Sequence, residues 1–270
     1  AIVHGIAEDG GLFVAEHLPQ MDKELSELLK MNYREVAYEV MKLFLTDFSE
    51  DELRYCIDHA YDDKFDTPQI APLAHPGDAN FLELFHGATL AFKDMALSIL
   101  PYLMTTAARK QSLEEEIVIL TATSGDTGKA ALEGFANVSG VRIIVFYPKD
   151  GVSTVQRLQM VTQQGDNTHV VAMKGNFDDA QRSVKEIFTD PQEAQKMKNA
   201  GYMFSSANSI NIGRLVPQVV YYFWAYLEMV RDHKVSLGMP VSFSVPTGNF
   251  GNILAAHYAR TMGLPIKKLI

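Results

Sequence analysis

From residue 116 onward the chain alternates between short, wholly apolar runs and longer stretches with helical spacing. No other feature narrows the fold as much. Ile117-Val118-Ile119-Leu120 has no polar face at all. Val141-Arg142-Ile143-Ile144-Val145-Phe146, Thr168 to Met173, Tyr202 to Ser205 and Val241 to Val245 read as further strands. Between them lie helical patterns through Ala130, Ala131, Leu132 and Phe135, then Thr154 to Gln164, Asp178 to Phe188 and Ile210 to Arg231. Gly251 to Met262 closes the series. A strand apolar on both sides must be covered on both faces, and strands separated by crossover helices run parallel. The expected class is therefore α/β, with open, mostly parallel sheets flanked by helices. Leu269-Ile270 reads as the start of one more strand, so more chain is expected to follow.

The first part reads differently. Residues 1 to about 20 are loop-like, with Asp9-Gly10-Gly11 turning into Leu12-Phe13-Val14. Leu25, Leu28 and Leu29 share one helical face, and Val36, Val40, Leu43 and Phe44 share another. Ser49 and Glu52 form a capping box ahead of Leu53, Cys56 and Ile57. A Pro- and Asp-rich linker, residues 62–78, follows. The expected division is a mainly helical N-terminal layer over 1–78, a large α/β domain from 79–110 and 201–270, and a smaller α/β domain over 111–200. A strand is expected from Asn80 to Phe85. A helix should run from about Ala91 to Lys110, kinked at Pro101. Glu114-Glu115-Glu116 reads as a solvated helix end, and Tyr221-Tyr222-Phe223-Trp224-Ala225-Tyr226 as helical core.

A net charge of −9 argues against nucleic acid or an anionic membrane as the main partner. No apolar run reaches the roughly 18 residues of a membrane span. One cysteine, Cys56, excludes an internal disulfide and any cysteine-based metal cluster. It should pack as a small apolar group. These features suggest a cytoplasmic setting; no metal site is expected, and the oligomeric state is not legible.

Ligands in open parallel sheets gather where strand C-ends meet helix N-termini. Three such loops carry chemistry. Thr123-Ser124-Gly125-Asp126-Thr127-Gly128 is rich in hydroxyls and glycine and suits a carboxylate or phosphate. Gly128-Lys129 invites a nucleotide P-loop reading, but the glycine spacing is too short and Ala130 stands where Ser or Thr is needed. Thr247-Gly248-Asn249-Phe250-Gly251-Asn252 is either an anion cradle at a helix dipole or simply a tight turn. Ser206-Ala207-Asn208-Ser209-Ile210-Asn211-Ile212-Gly213-Arg214 is either a second anion site or an N-capped helix with a surface arginine. Lys93 lies near a helix start among Leu90, Ala91, Phe92, Met95 and Ala96. Such a lysine either snorkels to water or is buried and made nucleophilic by a lowered pKa. Taken together, a buried lysine and three anion loops ask for an anionic substrate and for a cofactor that carries phosphate and accepts an amine. Pyridoxal 5'-phosphate meets both demands.

Four motifs in register resemble the threonine synthase family of fold-type-II pyridoxal-phosphate enzymes. The segment from Ala7 through Glu8 and Asp9 to Val14 resembles its early DGGL(Y/F)VP stretch, with Ala15 in place of the usual proline. Phe85-His86-Gly87-Ala88-Thr89-Leu90-Ala91-Phe92-Lys93-Asp94 resembles its FHGPTLAFKD lysine motif, with Ala88 in place of proline. The loops at Thr123 to Gly128 and Gly248 to Asn252 match in type and order. The resemblance implies conversion of O-phospho-L-homoserine and water to L-threonine and phosphate. It implies that Lys93 holds the cofactor as a Schiff base and that its freed amine later moves protons at Cα and Cβ. It implies that Gly248, Asn249, Phe250, Gly251 and Asn252 cradle the cofactor phosphate. Ser124, Gly125, Asp126 and Thr127 would face the substrate carboxylate or the cofactor ring; relatives often carry Asn at the position of Asp126. Asn208, Ser209, Asn211 and Arg214 would take the substrate phosphate, assisted by Lys129. A hydroxyl partner for the pyridine nitrogen is expected beyond Ile270. The rival readings are a serine or threonine dehydratase, a cysteine synthase type of enzyme, or a non-catalytic homologue that binds phosphorylated small molecules.

Overall fold

The structure is a computed structural model that describes residues 1–7 and 9–270. Glu8, part of the N-terminal motif, lies outside the described residues. In chain order the elements are α1 (Leu25–Leu28), α2 (Tyr33–Met41), α3 (Glu50–Ala60), β1 (Leu73–Ala74), β2 (Phe81–Leu82), α4 (Asp94–Leu97) and α5 (Leu100–Lys110). Then come β3 (Glu116–Ala122), α6 (Asp126–Phe135), β4 (Val141–Pro148), α7 (Thr154–Val161), β5 (Thr168–Met173), α8 (Phe177–Thr189), α9 (Pro191–Asn199) and β6 (Tyr202–Ser205). The series ends with α10 (Ile212–Arg231), β7 (Val241–Phe243), α11 (Gly251–Thr261) and β8 (Ile266–Leu269). The chain divides into two compact units, one of residues 1–13 and 100–214, the other of residues 14–99 and 215–270.

The first unit is built on a four-stranded sheet in the order β5-β4-β3-β6, parallel throughout. The apolar run predicted cover on both faces, and Ile117 through Ala122 are all buried; β3 also lies between two neighbours, β4 and β6. Val118, Leu120 and Ala122 pack against Ala180 and Val184 of α8. One helix was not expected. α9 has no buried residue, so it carries no apolar stripe to reveal it. It is started by Pro191 at its first position and by Asp190, whose carboxylate accepts from the backbone N–H groups of Gln192 and Glu193 at 2.8 and 3.3 Å. Glu114 to Glu116 is no helix end: Glu116 opens β3 and pairs with Arg142 at 2.9 Å.

In the second unit, β1 and β2 form a two-residue antiparallel pair in place of the longer strand expected from Asn80 to Phe85. The predicted helix over 91–110 is two helices, α4 in this unit and α5 in the first. The break falls at Ser98–Ile99, and Pro101 sits in the first turn of α5, where its missing N–H leaves no helix hydrogen bond unmade. The predicted capping box of α3 is present, with Ser49 accepting from the N–H of Glu52 and Glu52 accepting from that of Ser49. Cys56 is fully buried on this helix, as expected. The core is aromatic. Tyr33 meets Tyr61 and Trp224 edge-on, with ring centroids 5.1 and 5.5 Å apart. The run Tyr221 to Tyr226 is buried, as its reading as helical core required. Parallel β7 and β8 form a second small sheet.

Trp224 also donates its indole N–H to the carbonyl of Ala71 at 2.8 Å. Replacing it with phenylalanine removes the donor and leaves a buried carbonyl unpaired. Trp224→Phe should lower stability by about 1–3 kcal/mol, read as a fall in the urea midpoint at unchanged slope.

Candidate functional site

Lys93 lies immediately before α4, in helical backbone conformation, and its carbonyl accepts from the N–H groups of Ala96 and Leu97. Its ammonium is 4.3 Å from the centroid of the Phe92 ring. The side chain is half-buried, not enclosed as the sequence suggested. The reason is local: α4 turns Asp94 to Leu97 into the core, while Lys93 precedes it beside the exposed Leu90.

Three side chains shape this turn. Asp94 is only 3 % exposed, and its carboxylate accepts from the N–H and the hydroxyl of Thr89, at 2.8 and 2.6 Å. Gly87 permits that approach, since a Cβ there would lie 2.5 Å from the Cβ of Asp94. His86 sits between two carboxylates, with Nδ1 2.5 Å from Asp66 and Nε2 2.9 Å from Glu83. Partial burial opposes its charge, but hydrogen bonds to Glu83 and Asp66 outweigh this and raise its pKa above the ordinary histidine value. The sequence motif contains His86, Thr89 and Asp94, but only the fold shows what each one touches.

The glycine turn after β7 belongs to the same unit as Lys93. Residues 246–250 are exposed, Phe250 adopts the left-handed conformation at φ 58°, and α11 begins at Gly251. The space beside Gly248 is open: a Cβ there would find no neighbour within 4 Å. The first N–H groups of a helix lack intrahelical partners and favour an anion. Asn252, in the first turn, is held from α10: its Oδ1 accepts from the hydroxyls of Tyr221 and Tyr222 at 2.5 and 2.7 Å. Burial pushes the Tyr222 hydroxyl up from its ordinary pKa, so it stays a donor. A half-buried lysine and a helix-start glycine turn with open space beside it fit a phosphate-bearing aldehyde.

The other two loops belong to the first unit. The Thr123 hydroxyl accepts from the N–H groups of Gly125 and Gly128 at 3.0 and 2.9 Å, and this sets the turn ahead of α6. Gly125 has φ +156°, a conformation open to glycine. Ser124 is exposed, and Asp126 and Thr127 are half-buried. Lys129 is engaged by Glu133 at 2.8 Å and by Gln163. In the loop after β6, the Asn208 amide brackets Ala122, donating to its carbonyl at 2.9 Å and accepting from its N–H at 3.2 Å. Both amide hydrogens of buried Asn211 go to the carbonyls of Ile2 and Ser206, so the side chain has no donor left for an anion. Arg214, 3 % exposed, donates to the carbonyl of Ala207 at 2.7 Å; it is not the surface arginine of the simpler reading. Ser209 is half-buried. Thr123 was not among the expected site residues; its place next to a Ser-Gly pair was the only sequence signal.

Residues 81–265 match the family described as pyridoxal-phosphate dependent enzyme. The chain belongs to that family. Residues 1–61 match the N terminus of threonine synthase. Over 272 residues the chain is 42 % identical to a threonine synthase of Pseudomonas aeruginosa, covering all of this chain and 55 % of that protein. It is 40 % identical over 281 residues to threonine synthase-like 1 of Homo sapiens, covering 37 % of that protein. A crystal structure of pyridoxal-phosphate-bound threonine synthase from Brucella melitensis superposes with a TM-score of 0.85 at 38 % identity, over 99 % of this chain and 56 % of that one. The chain thus spans about half the length of the bacterial relatives it matches. Fold-type-II membership was expected from the motifs, and the family match and the structural likeness bear it out. Pyridoxal phosphate is the cofactor of this family.

Two outcomes follow. His86 has a raised pKa in the folded state, so its contribution to stability is fully present below about pH 6.5 and is lost as pH rises through the folded value. The stability advantage of the wild type over His86→Gln should therefore be largest in mild acid and shrink toward alkaline pH, as urea denaturation at stepped pH will show. Replacing both Tyr221 and Tyr222 with phenylalanine releases Asn252. Amides 249–254 should then exchange hydrogen about fivefold faster, the equivalent of about 1 kcal/mol of local opening.

Proposed function

We propose that the protein carrying this chain is a threonine synthase, converting O-phospho-L-homoserine and water into L-threonine and phosphate. The observation that carries the reading is the likeness to a pyridoxal-phosphate-bound threonine synthase over 99 % of this chain. A match to O-ureido-L-serine synthase, at 15 % identity and a TM-score of 0.53, extends only to the fold and does not favour the synthase and dehydratase alternatives.

When bound, pyridoxal phosphate supplies an electron sink for the charge that develops as substrate bonds to hydrogen break. The chain's own residues do the rest. Lys93 forms the covalent attachment, and its freed amine then carries protons at the substrate Cα and Cβ. The backbone of Gly248, Asn249, Phe250, Gly251 and Asn252 holds the cofactor phosphate at the start of α11. Ser124, Gly125, Asp126 and Thr127 form the loop for the substrate carboxylate, with the Ser124 and Thr127 hydroxyls as its donors, while the N–H groups of Gly125 and Thr127 are held by Thr123 and Asp126. Asn208, Ser209 and Arg214 belong to the loop proposed for the substrate phosphate, and Asn211 holds that loop in shape. One buried cysteine and a soluble substrate support a cytoplasmic location.

Incubating the full-length protein with O-phospho-L-homoserine should release threonine and phosphate in equal amounts. Lys93→Ala should abolish both products and the visible absorption band of lysine-bound cofactor. A Lys93→Ala protein that kept its band and its turnover would overturn the reading.

A further inference from the structure

We propose that Asp94 and Thr89 form a clamp that positions Lys93 for its bond to the cofactor. The inference rests on the reading of Lys93 given above and adds two residues to it. Asp94 and Thr89 close a six-residue ring: the N–H and the hydroxyl of Thr89 both donate to the Asp94 carboxylate, one to each oxygen. Lys93 is the last residue inside that ring. Two further observations show that the ring holds its conformation against resistance. Leu90, within it, adopts the left-handed conformation at φ +59° while 69 % exposed, so its own packing does not explain the strained backbone. Gly87 closes against Asp94 so tightly that no other residue fits without a shift.

A carboxylate 3 % exposed is costly to bury, and here both of its oxygens have partners on one residue. By holding Thr89 through both oxygens, Asp94 fixes the path of Leu90, Ala91, Phe92 and Lys93. A lysine that must present its amine to an aldehyde benefits from a fixed backbone, because positioning errors of about 1 Å slow bond formation severely. Asp94 and Thr89 act through Lys93 and are positioning residues.

The test uses full-length protein freed of cofactor. Pyridoxal phosphate is added and growth of the visible band is timed, while hydrogen exchange of amides 89–95 is followed separately. Thr89→Val removes the hydroxyl at nearly constant volume. It should speed exchange across the ring and slow band formation by about tenfold or more. Thr89→Ser should restore both to near the wild-type values, which general loss of packing would not do. Asp94→Asn keeps an acceptor for the Thr89 N–H but removes the charge, and should fall between wild type and Thr89→Val; it serves as the second probe should Thr89→Val fold poorly. Band formation at the wild-type rate in Thr89→Val or in Asp94→Asn would overturn the clamp, even with faster exchange. The band of Lys93→Ala separates the two levels. Its persistence would overturn the role of Lys93 and the clamp together. Its loss, with wild-type kinetics in Thr89→Val, would sink only the clamp.

Discussion

Burial of β3 on both faces is the constraint from which the rest of its unit follows. A strand with no polar face must be covered by helices above and below, and in this sheet β3 also has a parallel neighbour on each edge, connected through crossovers. Each crossover brings a helix start against a strand end. The loop at 123–128 and the loop at 206–214 are two results of that geometry, and each leads into a helix whose first N–H groups lack the usual intrahelical partners.

Those N–H groups must be satisfied or offered to a ligand, and the chain divides them by burying one polar side chain in each loop. Thr123 takes the N–H groups of Gly125 and Gly128. Asn211 takes that of Gly213 while bridging two carbonyls. In the other unit, Asp94 takes the N–H of Thr89, and Asn252 is held by two tyrosine hydroxyls. The side chain beneath each loop is spent on holding its shape, so that side chain is not itself free to meet an anion. Removing one of these buried groups costs more than its hydrogen bonds suggest, because its partners are left in a place water cannot reach.

Periodicity made the strands and long helices legible because apolar burial has a period. β5 and β6 fall on the expected residues, and α8, α10 and α11 start or end within two residues of the readings. α9 was invisible for the converse reason: a polar helix held by a cap has no stripe. The split of α4 from α5 was misplaced because Pro101 was read as a helix breaker, when at a helix start it is harmless. For the site, residue types announced the loops, but not which side chains face in. Asn211 and Arg214 look like ligands in sequence, and both point to backbone carbonyls. Thr89 and Asp94 stand five residues apart with no helical or strand periodicity between them, so only the fold brings them together. The lysine motif fixed the chemistry expected of Lys93 but not its exposure, which depends on where α4 begins.

α9 carries one more consequence. None of its nine positions is buried, and Met197 packs half-buried against the apolar cluster of β3 and α8. Most of its side chains therefore face water and contribute little to the packing of the unit. As long as Asp190, Pro191 and an apolar residue at 197 persist, the segment is free to drift in sequence and in surface charge. It can acquire new surface properties without disturbing the loops at the far ends of the strands it flanks.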